Sequence, residues 1–230
     1  NVVAMAGGRG MAVLDGLQAS VQNNEVQRAL MAALELQGTD NATLAGNRIL
    51  ASGGDGIRVV SAGSVEISSN ALDWIDGNGI VVVDTADARI TENTIAFAGR
   101  NAIQVAGGAD LLVSRNTIAR AIGNGIDIQA SDLAGSLLEN SVTDAQSGLQ
   151  MVLSGVFEGA ISDNTLLASR VYGMSLEAGQ FATDSLVSTN WIESSGREGL
   201  RILATGPGES TLIFSDNGLI LNHVQDGEQQ

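Results

Sequence analysis

Five carboxylates spread between positions 132 and 209 are the residues best suited to chemistry: Asp132, Glu158, Glu177, Asp184 and Glu209. Two carboxyl groups flanking a glycosidic bond can hydrolyse it, one protonating the leaving oxygen and the other attacking or activating water. Asp132 with Glu158, or Glu177 with Asp184, would be such pairs. Converging hard oxygens also suit calcium, with Asp132 and Glu158 as candidate ligands; no other metal or cofactor is implied. Arg170, Arg197 and Arg201 lie in the same half. Trp191 and Tyr172 carry rings that can stack on a sugar, and with Arg201 they form the candidate ligand-binding set. The plainer reading of the same acids is a solvated loop surface.

Composition closes several routes. Cysteine is absent, so there is neither a disulfide framework nor a thiolate metal site. The net charge is −15, and all eleven basic residues are arginine. So acidic a surface repels phosphate backbones, which argues against a nucleic-acid partner, and suits an exported, salt-tolerant protein. No apolar run has the length needed to cross a bilayer. With 44% apolar residues but only 3% aromatic, a long core must be built from Ile, Val, Leu and Ala.

The elements that would position these side chains follow from an internal repeat. Asparagine recurs at Asn1, Asn24, Asn47, Asn70, Asn93 and Asn116 in steps of 23, then at Asn140, Asn164, Asn190 and Asn217 in steps of 24 to 27. Two residues after each stands an aliphatic, such as Val26, Ile49 and Leu72; three residues before stands another, such as Val21, Leu44 and Ile67. A small column runs Gly10, Ala33, Gly56, Gly79, Ala102, Gly125, Gly148, Gly173, Gly199. Each small residue is followed by apolar positions one and three residues on, with Glu35, Arg58, Gln104, Asp127, Gln150, Ser175 and Arg201 between them. Alternation of period two predicts strands, three per coil, with stacked coils burying the like columns. The Asn column is expected to form an amide ladder and to take the left-handed backbone of a tight corner. The small column marks a corner where a side chain would collide or φ would be positive.

The pattern N-x-[ILV] followed by G-[IL]-x-[VIL] resembles the repeat of right-handed parallel β-helices, the superfamily of pectate lyases, polygalacturonases, alginate epimerases, NosD-like proteins and many adhesins. The resemblance implies an all-β, single-stranded solenoid of about ten coils over 1–222, with a polar tail at 223–230. It does not bring the enzymes' motifs with it. The one histidine, His223, stands outside any Gly-His-Gly; Pro207 has no arginines at Arg-x-Pro-x-x-Arg spacing; Tyr172 has no histidine in register. Of the five methionines, Met11, Met151 and Met174 fall on inward columns and read as core rather than copper ligands. The hydroxyl-rich column Gln22, Ser68, Thr91, Ser114 reads as an ordinary solvated strand face.

The repeat lengthens only between the small corner and the next Asn, in the segments Gln129–Ser136, Val152–Gly159, Glu177–Ser185 and Leu203–Thr211. Insertions on one side of a solenoid often form a binding face. Trp191 is expected to point outward or to pack under Leu203–Thr211, and Trp74 to pack in its turn beside Phe97. Asn1 already stands in ladder register, so we expect flanking domains or end-to-end self-association. The leading reading is a non-catalytic structural or recognition module, extracellular, periplasmic or at the cell surface, contacting a polysaccharide or cell-surface glycan through that ridge. The alternatives are a polysaccharide-active lyase, hydrolase or epimerase using the loop carboxylates, and a pure scaffold.

Overall fold

A computed structural model of the chain describes residues 1–220. Within them the only regular elements are short strands, from Val2–Ala4 to Gly218–Ile220. Each coil contributes one strand to each of three parallel sheets, and the strands of a sheet follow one another in chain order. The first sheet, of ten strands, begins after each Asn; the second, of nine, begins after the small corner; the third, of ten, ends before the next Asn. The third includes one short strand, Gln180–Phe181, off the regular path. The chain is thus an all-β, right-handed parallel solenoid of about ten turns.

The register stacks like on like: Ile57, Ile80, Ile103 and Ile126 pair in sequence along the second sheet and are fully buried. Removing each such side chain from water contributes about 1.5–3 kcal/mol, and only stacking achieves it. Met151 and Met174 are core residues, as their columns required, whereas Met11 is partly buried. In the last described coil Phe214 and Leu219 are half exposed, although Val187 and Ile192 one coil earlier are buried.

The Asn column forms the expected ladder. Asn47 Nδ2 donates to Asn70 Oδ1 at 3.0 Å, and Asn70 Nδ2 to Asn93 Oδ1 at 2.9 Å. The same oxygens accept the backbone N–H of the previous rung, and the second Nδ2 hydrogen reaches a carbonyl, as Asn47 does to Val21 at 2.8 Å. From Asn24 to Asn190 every rung is buried. The left-handed backbone is not taken by the ladder residues themselves. It falls one position earlier, at Asn23, Gly46, Ser69, Glu92, Arg115, Glu139, Asp163, Thr189 and Asp216, with φ of 52–62°. Asn is therefore selected at the rung for its buried amide, and the strained backbone is carried by a neighbour whose side chain is free to vary.

At the small corner the constraint is space, not φ. A Cβ on Gly79 would lie 2.5 Å from the Ala102 carbonyl oxygen, and one on Gly56 2.6 Å from that of Gly79. None of these corner glycines has positive φ, and Ala33 and Ala102 show that the column admits at most a methyl.

The inserted segments do lie on one side, between the second and third sheets, but much of their length is folded rather than presented as loop. Leu133–Leu138 and Val156–Ser162 are extended strands, and Gln180–Phe181 pairs with Val156–Phe157. They widen the core with Leu133, Phe157 and Phe181, all buried, the two rings meeting edge to face at 6.2 Å. Extra backbone at a corner opens volume that an aliphatic column cannot fill, and two large rings fill it.

Candidate functional site

Alternate residues of the second sheet point outward, yet several are buried: Glu35 is 7% exposed, Asp127 3% and Ser175 5%. A second polar ladder accounts for part of this. Asp55, Asn78, Asn101 and Asn124 each precede a residue of the small column. The N–H of Asn78 donates to Asp55 Oδ1 at 2.9 Å, that of Asn101 to Asn78 Oδ1 at 3.0 Å, and that of Asn124 to Asn101 Oδ1 at 2.8 Å. This ladder escaped the sequence reading, although its step of 23 immediately before the small column was there to be found. It ends at Asn124, whose buried Oδ1 has no partner; 23 residues on, the position before the small column is Ser147 rather than an amide.

Beside the ladder, Asp127 accepts from Asn124 Nδ2 at 2.9 Å, Gln129 Nε2 at 3.1 Å and Asn101 Nδ2 at 3.2 Å. Both carboxylate oxygens are engaged by neutral amides, and Asn124 Nδ2 also donates to Gln150 Oε1 at 3.0 Å. The network holds the Asp127 carboxylate in place, and at 3% exposure it is withdrawn from the surface a substrate would meet.

Three of the sequence-identified residues do come together further along this face. The Arg201 guanidinium lies 6.0 Å from the centre of the Tyr172 ring, 3.6 Å from Glu177 Oε2 and 3.4 Å from Ser175 Oγ. Trp191 is elsewhere. It belongs to the first sheet, 43% exposed, with its indole over Gly218 and its Nε1 donating to Glu193 at 3.2 Å. It is outward, as expected, but its neighbour is Gly218; the Leu203–Thr211 segment joins the other two sheets. Trp74 does meet Phe97, ring centres 5.4 Å apart, while remaining 56% exposed.

The remaining carboxylates are dispersed. Asp132 Oδ1 accepts the Val156 N–H at 2.7 Å and so ties one coil to the next. Glu158 projects from the third sheet opposite Ala134, and Asp184 occupies the turn before Ser185–Ser188. Glu209 contributes its carbonyl, not its carboxylate, to Gln180 Nε2 at 2.7 Å. Arg170 pairs with Asp144 at 2.9 Å and reaches back to the Ala121 and Ile122 carbonyls, whereas Arg197 is exposed. Among the described residues no three His, Cys, Asp or Glu side chains are placed to hold a metal ion. His223 and the tail 223–230 lie outside the described residues.

An open concavity lies on the outer face of the third sheet, in its regular N-terminal half. A cavity of about 660 Å³ runs from the Gln18 coil to the Asp87 coil, and a second of about 390 Å³ adjoins it through Asp87 and Arg89 and continues past Asp110. Two outward columns line this trough. One is Gln18, Asn41, Ser64, Asp87, Asp110; the other is Ser20, Thr43, Glu66, Arg89. Ser64 Oγ donates to Asn41 Oδ1 at 2.8 Å, and Arg89 lies 3.5 Å from Asp87. The sequence reading named neither column.

A family model described as "Right handed beta helix region" matches residues 1–87 and 55–219. No curated protein and no solved structure matches the chain.

Proposed function

Because the chain belongs to the right-handed β-helix family, a scaffold that presents whole faces to a partner, we propose that it is a non-catalytic recognition module of an exported or surface protein that holds a glycan against an outer face. The trough on the third sheet carries this reading: it is continuous over several coils, open, and lined by hydroxyl, amide and carboxylate groups. Such groups both donate to and accept from the hydroxyls of a sugar.

The dispersal of the carboxylates favours binding over cleavage. Asp132 is occupied by a backbone N–H, Glu177 faces Arg201 and Asp127 is held by three amides. The alternative is a polysaccharide-active enzyme, and one experiment addresses both. The purified protein is applied to a glycan array and, in parallel, incubated with the same polysaccharides while reducing ends and unsaturated products are measured. Retention of a glycan without product is the expected result. Product formation that disappears in Asp132→Ala or Glu177→Ala would replace recognition with catalysis.

A further inference from the structure

The eleven arginines divide by place. Seven pair with an acid, whereas Arg28, Arg100, Arg120 and Arg197 have no acid partner among the described residues. All four lie where the first sheet passes into the second. Large apolar side chains gather at the same corner: Met5, Leu30, Met31, Trp74 and Ile122 are each more than half exposed. Aromatic, methionine and arginine side chains together are the composition of a protein interface.

The corner is shaped as a comb. Gly7, Leu30, Gly53, Asp76, Gly99 and Ile122 hold one position of successive coils; from Leu30 on, the N–H of each donates to the carbonyl 24 residues before it. Small and large therefore alternate, with a projection at every second coil, about 9.6 Å apart along the axis. Between Leu30 and Trp74 the small Ala51 and Gly53 leave a recess of about 270 Å³, which Arg28 and Asp76 also line. Such a row is filled by a surface of the same pitch displaced by one coil. We infer that this surface is a second copy of the chain, lying antiparallel about a two-fold axis between the Asn47 and Asn70 coils.

That operation carries each projecting coil onto a recessed one, as a closed, self-complementary dimer requires. Trp74 enters the recess over the partner's Ala51 and the partner's Gly53. Leu30 meets the partner's Gly99, and Ile122 meets the partner's Gly7. Arg28 lies over the partner's Phe97, a cation on a ring face, and Arg120 lies along the partner's Met5. No like charges directly face each other. A bilayer or an acidic peptide would answer the arginines but not the two-coil pitch. The row ends where Asp144 pairs with Arg170. Six coils give a strip roughly 25 Å long, a small interface that holds a weak, reversible dimer.

Sedimentation equilibrium of the whole chain should show a monomer–dimer equilibrium in the micromolar range. Trp74→Ala and Leu30→Asp should each weaken it at least about tenfold, as loss of a central anchor does. Leu17→Asp, as exposed but at another corner, should leave it unchanged, and circular dichroism should show all three variants folded. Because the chain has no cysteine, single cysteines can read the direction of pairing. A mixture of Met5→Cys and Arg120→Cys chains should give the mixed disulfide dimer well beyond its statistical share. A chain that stays monomeric up to millimolar concentration, a dimer indifferent to both Trp74→Ala and Leu30→Asp, or preferential pairing of Met5→Cys with itself would overturn the assignment. So would binding of the corner to vesicles of anionic phospholipid without self-association, which would make the partner a membrane surface.

Discussion

The coils from Asn24 to Asn116 and those from Asn140 to Asn217 share one ladder and one fold but spend their sequence differently. The earlier coils repeat at 23 residues without change, and their third sheet forms an unobstructed trough. Every insertion lies from Gln129 onward, the first at the end of the Asn116 coil; two of the four fold into longer strands over Phe157 and Phe181, while 205–211 stays outside the strands and mostly exposed. The third-sheet face of the later coils turns to Ala160, Leu186 and Ile213 where the earlier coils have Thr43, Glu66 and Arg89. The corner between the first and second sheets divides the same way. Leu30, Trp74 and Ile122 are exposed in the earlier half, while Asp144 and Arg170 form an ion pair in the later one. Regularity builds a surface that repeats with the coil, and irregularity enlarges the core instead.

The sharpest way to break this comparison is Phe157→Ala. If the insertions are core, it should cost about 4 kcal/mol in urea unfolding, as deletion of a buried ring does; a loss below about 1 kcal/mol would return the segment to the status of a surface loop. Asn93→Ala comes next, at about 3 kcal/mol, because it strands the buried N–H and Nδ2 of Asn70 and the carbonyl of Ile67. Asn190→Ala should cost a similar amount if the ladder is indifferent to coil length; a much smaller loss, measured side by side, would show that the later half relies less on its rungs. Gly79→Ala should lower stability by about 1–2 kcal/mol, since the neighbouring coil must move to admit the methyl group. Asp132→Ala should cost about 1 kcal/mol for its link to Val156. Arg201→Ala, in a partly exposed cluster, should cost no more than about 0.5 kcal/mol.

What the sequence disclosed follows from what the fold constrains. Asn rungs and inward aliphatics have no alternative at a buried stacked position, so they recur by type and were legible. The left-handed position before each rung accepts Ser, Glu, Arg, Asp and Thr alike, because only its backbone is special, and so it left no column. The second ladder mixes Asp with Asn and breaks after four rungs, where Ser147 stands in the next coil. Phe157 and Phe181 lie in insertions, where no register existed to align them. Tyr172, Glu177 and Arg201 were named as candidates and are brought together, but sequence could not tell that Asp132 holds a turn. The trough spans several coils, and its lining looks like any solvated strand.

The invariance of the early coils carries a consequence for how such a molecule changes size. Residues 70–92 begin and end at identical points of the winding, so a tandem copy of that segment meets its neighbours with the same rungs, aliphatics and corners as the original. Each copy lengthens the rod by roughly 4.8 Å. The length of such a solenoid becomes a matter of gene duplication rather than redesign.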